Sequence, residues 1–141
     1  MSMLKMQIVK HDDQNSDASA LANPDTKVDL SRFLGTWVNT FKDTRSITRF
    51  VLSQTSMGYT ITTNVSDGVG DLGTVEVVPF APTVDSTQAD GFVARYEFGF
   101  LEMLLTSYYT NGLIVVSQYT RFKDNSGRPD YFNREFFFKT D

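Results

Sequence analysis

From Gly35 onward the chain is written in short runs of β-branched and aromatic residues, broken by turn signals roughly every 8 to 12 residues. Eight runs can be counted: Gly35 to Asn39, Ile47 to Gln54, Tyr59 to Val65, Gly73 to Phe80, Phe92 to Phe98, Leu101 to Tyr109, Leu113 to Phe122 and Tyr131 to Lys139. The links between them are compact, among them Ser56-Met57-Gly58, Asn111-Gly112 and the longer Lys123 to Pro129. Short links favour antiparallel pairing of neighbours, and eight such strands close most readily into an up-and-down barrel. The expected fold is all-β: an eight-stranded antiparallel up-and-down β-barrel. No helix of three or more turns is expected.

What precedes the first strand is different in kind. Residues 1–28 are expected to form a flexible leader, because His11 to Val28 is rich in Asp, Asn, Ser and Ala and shows neither a helical nor a strand period. Asp29 then stands before apolar residues spaced three and four apart, so Asp29 to Leu34 is expected to make a short helical turn that closes one barrel end. Residues 29–141 are expected to be one domain, a size that can bury a core unaided.

Composition narrows the function classes. The net charge of -4 and the scatter of thirteen basic residues argue against nucleic acid as a partner, since phosphate binding needs clustered Lys and Arg. The chain has no cysteine and a single histidine, His11 in the leader, which disfavours thiolate chemistry, His-dependent triads and His-rich metal sites within the barrel. No cofactor and no metal are expected. The N-terminus lacks the apolar core of a signal peptide and no stretch reaches the roughly 20 apolar residues of a membrane helix, so a cytoplasmic protein without a membrane partner is expected. Gly68-Val69-Gly70-Asp71-Leu72-Gly73 spells a dinucleotide-type glycine motif, but a strand follows it where that motif requires a helix, so it is expected to be a hairpin.

Alternation along the strands sorts inner from outer positions. The fifth run sets Phe92, Ala94, Tyr96 and Phe98 against Val93, Arg95 and Glu97, and the first set is expected inside. In the eighth run Phe132, Arg134, Phe136 and Phe138 are expected inside, and Asn133, Glu135, Phe137 and Lys139 outside. The third run is expected to turn Tyr59, Ile61, Thr63 and Val65 inward. The second, fourth, sixth and seventh runs are apolar or mixed on both faces, which either hides their register or means that part of the outer wall is covered, with a second subunit of a homodimer as the simplest cover.

Gly35-Thr36-Trp37, a Gly-x-Trp on the first strand after a short helical turn, resembles the calycins, the lipocalin, fatty-acid-binding and avidin-like barrels. The resemblance implies that Trp37 closes one barrel end against an arginine from the last strand, a part that falls here to Arg134. Avidin-type biotin sites use several further tryptophans, and this chain has only Trp37, so biotin binding is not implied.

Three functions follow from these readings. The first is a carrier or sensor holding a small hydrophobic molecule inside the barrel, with Tyr59, Phe92, Phe98, Gln118, Phe132 and Phe136 as ligand-binding candidates. The second, which the resemblance permits, is a metal-free cyclase or isomerase of a polyene or polyketide-like substrate, with Tyr96, Tyr119 and Arg49 as catalytic candidates that polarise a carbonyl. The third is a protein interaction module with a filled barrel.

Overall fold

A computed structural model describes residues 28–66 and 71–141. Residues 1–27 of the expected leader, with His11, and the motif glycines Gly68 and Gly70 lie outside the described residues. A 3-10 turn at Ser31–Phe33 precedes eight strands: β1 (Gly35–Asn39), β2 (Ile47–Thr55), β3 (Gly58–Val65), β4 (Gly73–Phe80), β5 (Gly91–Glu97), β6 (Leu101–Thr110), β7 (Leu113–Phe122) and β8 (Tyr131–Lys139). Each strand pairs antiparallel with the next, and β8 returns to β1, so the sheet is a closed barrel in sequence order. This is the expected architecture, with strand bounds that differ from expectation by one residue at most.

The turns explain the neighbour-to-neighbour order. Between β6 and β7, Asn111 and Gly112 both have positive φ, 52° and 83°, the backbone that a two-residue hairpin needs to match the twist of its strands. Pairing runs the full length of these two strands, from Leu101 opposite Phe122 to Thr110 opposite Leu113. At the start of β5 a glycine is required by close approach: a Cβ at Gly91 would collide with the backbone carbonyl of Ser107. The seam that closes the barrel is much shorter, with Trp37, Val38 and Asn39 opposite Lys139, Phe138 and Phe137.

Large side chains point into the interior of the barrel. Rings stack upward from the closed end: Tyr109 to Phe33 at 4.8 Å, Phe33 to Trp37 at 6.3 Å, Trp37 to Phe50 at 6.4 Å, and Phe50 to Phe137 at 5.0 Å and Phe92 at 6.1 Å. Leu52, Ile61, Val77, Ala94, Leu105, Ile114 and Val116 occupy the inner positions around them. Burying each large apolar side chain stabilises the fold by about 1.5–3 kcal/mol, which makes this column the main support of the barrel.

The closed end is built differently from expectation. Trp37 does plug it, and its indole Nε1 donates to the Phe33 carbonyl at 2.9 Å. Its partner is not Arg134. Because Ile114 opposite Phe137 and Asn39 opposite Phe137 are inward pairs, strict alternation turns Asn133, Glu135 and Phe137 inward, and Phe132, Arg134, Phe136 and Phe138 outward. The face expected for β8 is therefore reversed. The arginine at the closed end is Arg32 of the 3-10 turn, whose guanidinium lies 4.6 Å from the Phe33 ring centre and 5.4 Å from that of Tyr109, and donates to the Ala89 carbonyl at 3.3 Å. Asp29 fixes the turn by accepting the Ser31 N–H at 2.8 Å and the Tyr59 hydroxyl at 3.2 Å. These bonds to Ser31 are the main reason that its carboxyl is held below the usual aspartate value.

Candidate functional site

At the open end the inner face turns polar. The Tyr96 hydroxyl is buried between Thr63 Oγ1 at 2.9 Å and the Gly73 carbonyl at 2.8 Å, and burial pushes its phenol above the usual value while the hydrogen bond with Thr63 opposes the shift. Ser46 Oγ donates to Gln118 Oε1 at 2.9 Å, and Gln118 Nε2 donates to Thr120 Oγ1 at 3.2 Å. Glu135 completes this end: its Oε1 accepts from Asn39 Nδ2 at 2.8 Å and from Thr44 Oγ1 at 2.9 Å, which ties the β1–β2 loop to β8. The donors and acceptors here satisfy one another, an arrangement that holds a fold together.

The candidates named for catalysis are not brought together. Tyr96 points inward and is buried, Tyr119 points outward with 46% of its surface exposed, and Arg49 lies on the outer face of β2, donating from Nε to Asn64 Oδ1 at 3.0 Å. A β-bulge between Ile47 and Arg49 shifts the inner set of β2 to Phe50 and Leu52. The ligand-binding candidates divide in the same way. Phe92 and Gln118 are buried inside, Tyr59 sits at the closed end on Asp29, and Phe98 caps the open end with its ring stacked 5.8 Å from Tyr96. Phe132 and Phe136 stand on the outer wall.

That outer wall, on β6, β7 and β8, carries exposed aromatic rings and a groove. Register places its outward side chains in cross-strand rows. Leu104, Tyr119 and Phe132 form one row, Thr106, Ser117 and Arg134 the next, and Tyr108, Val115 and Phe136 the third. The small hydroxyl residues of the middle row lie between two bulky rows, and this difference in size opens a groove of about 340 Å³ lined by Thr106, Ser107, Tyr108, Val115, Ser117, Arg134 and Phe136. Arg134 has no carboxylate or side-chain acceptor among the described residues. On the other side of the Tyr119 row, Arg121 is held between Glu102 at 3.5 Å and Asp130 at 3.7 Å. Five half-exposed rings complete the wall: Tyr108, Tyr119, Phe132, Phe136 and Phe138.

Sequence reasoning missed the inward Glu135 and the outward Arg134 for one reason. Residues Phe136, Phe137 and Phe138 are all aromatic, so alternation along β8 carries no face signal. The neighbouring strands supply it, through the pairing of Phe137 with Asn39 and Ile114.

Among the described residues no three His, Cys, Asp or Glu side chains converge as a metal site, and no helix is long and apolar enough to cross a membrane. No protein-family model, curated protein or solved structure matches the chain.

Proposed function

We propose that this protein is an interaction module: a barrel filled with side chains that binds through the outer wall of β6, β7 and β8, with self-association as the way the wall is covered. The observation that carries the reading is the aromatic wall itself. Five rings of about 200 Å² each, about half exposed, together present roughly 500 Å² of aromatic surface on either side of the Thr106, Ser117 and Arg134 row. That sum is more than half of the roughly 800 Å² per partner in a standard interface. Sedimentation velocity over a concentration series tests it. The expected result is a concentration-dependent assembly that Tyr119→Ser with Phe132→Ser abolishes while the circular dichroism of the barrel is retained; a monomer at every concentration overturns it.

A second reading is a carrier of a small hydrophobic molecule in the calycin manner. Kinship to the calycins is part of that proposal, supported by the closed barrel and by Gly35-Thr36-Trp37 after the closing turn. Native mass spectrometry of freshly purified protein separates the two readings, because a retained small molecule and a subunit count appear in one spectrum. A cytoplasmic setting belongs to either proposal and suits a chain without cysteine.

A further inference from the structure

We infer that two copies pair wall to wall about a two-fold axis running along the row of Tyr119 and Phe132, with Arg134 of each copy facing Asp130 of the partner subunit. The inference rests on the docking reading above and adds its geometry. In a face-to-face contact between sheets, an axis lying in the interface along one cross-strand row exchanges the rows on either side of it and keeps each strand over its own copy. Rows on one face repeat every two residues, about 6.8 Å along the strand. The row of Ser117 and Arg134 on one side of Tyr119 and Phe132 therefore meets the row of Arg121 and Asp130 on the other. Arg134, which has no acceptor within its own chain among the described residues, gains a carboxylate, and Arg121 meets a serine hydroxyl. The rings of Tyr119 and Phe132, 5.0 Å apart, meet their own copies at the centre. Such a contact is isologous, and its two ends are identical.

Charge selects this axis over the other two-fold that packs the same walls. An axis along β7 would keep the rows and exchange β6 with β8. It would set Arg121 against itself and Asp130 against the acid of the partner's β6 in the same row, and like charges face to face are destabilising. Only the cross-strand axis leaves every charged group of the wall facing an opposite charge or a hydroxyl.

Charge reversal tests the inference in the full chain. Arg134→Asp alone and Asp130→Arg alone are each expected to weaken association at least about tenfold, and the double variant to restore it, as coupled partners do in a double-mutant cycle. Thermal unfolding by circular dichroism checks that each variant is folded. The absence of native cysteine allows a second measurement that does not depend on those variants. A mixture of Arg134→Cys chains with Asp130→Cys chains is expected to form an oxidised heterodimer, and Arg134→Cys chains alone are not. Dimerisation of the wild type with neither rescue nor cross-link overturns the two-fold while the docking reading stands. A wild type that never associates overturns both.

Discussion

The indole nitrogen of Trp37 donates to the carbonyl oxygen of Phe33 at 2.9 Å, four residues back along the chain, and so ties the closing turn to the first strand. Both groups are buried, so neither can turn to water when the bond is lost. Trp37→Phe keeps a ring in the stack between Phe33 and Phe50 but leaves that carbonyl unpaired, a loss of about 1–3 kcal/mol. Urea unfolding followed by circular dichroism measures it, because the variant has no tryptophan to report. An unchanged midpoint would show that the bond contributes nothing.

The two arginines named for the closed end should respond differently. Arg32 covers Phe33 and Tyr109, and Arg32→Ala is expected to cost about 0.5–2 kcal/mol through the lost cation–π contacts. Arg134→Ala, on the outer wall, is expected to change stability by no more than about 0.5 kcal/mol when measured at concentrations too low for association. The reverse order would return Arg134 to the barrel end.

Glu135 is expected to behave as a structural tie. Glu135→Ala leaves the Asn39 amide and the Thr44 hydroxyl without their acceptor and should cost about 1–3 kcal/mol. The Asn39 amide also donates to the Ile47 carbonyl at 2.9 Å, so the loss should be confined to the stretch between β1 and β2. Hydrogen exchange that quickens in residues 40–46 and leaves β5 to β7 unchanged is the expected pattern.

Alkaline pH should find Tyr96. Burial holds its phenol above the free value of about 10, so the folded chain keeps the proton longer than the unfolded one. The stabilisation is complete below pH about 10 and is lost as pH rises toward the folded value, because the unfolded chain ionises first. Tyr96→Phe removes that loss but also the bonds to Thr63 and Gly73, and should be less stable at neutral pH by about 1 kcal/mol. Urea midpoints of the two proteins should therefore converge as the pH is raised above about 10, and parallel curves would exclude a raised phenol.

Strand number, order and bounds were legible because each turn is marked locally, as at Asn111-Gly112, and because short links leave little choice of neighbour. The inner faces of β3 and of most of β5 were legible from strict alternation around Ile61 and Tyr96. The face of β8 was not, since three successive phenylalanines give the same reading in either register and only the pairing with β1 and β7 decides between them. The β2 bulge is a second case: Arg49 could be placed only once the extra residue beside Ile47 was seen. The candidate wall follows from the face of β8. Alternation alone reads β6 and β7 as apolar or mixed on both faces, and it sets Arg134, which has no side-chain acceptor among the described residues, on the face expected inside.

The seam between β1 and β8 joins strands about a hundred residues apart in the chain through only a few opposed positions beside Trp37. Bringing such distant ends together costs more chain entropy than any hairpin in the barrel, and little pairing offsets it. The sheet can therefore assemble hairpin by hairpin as an open curved ribbon, with the arrival of Trp37 as the closing event. The same line is where a stressed barrel would first unzip, exposing two bare strand edges while β5 to β7 are still intact.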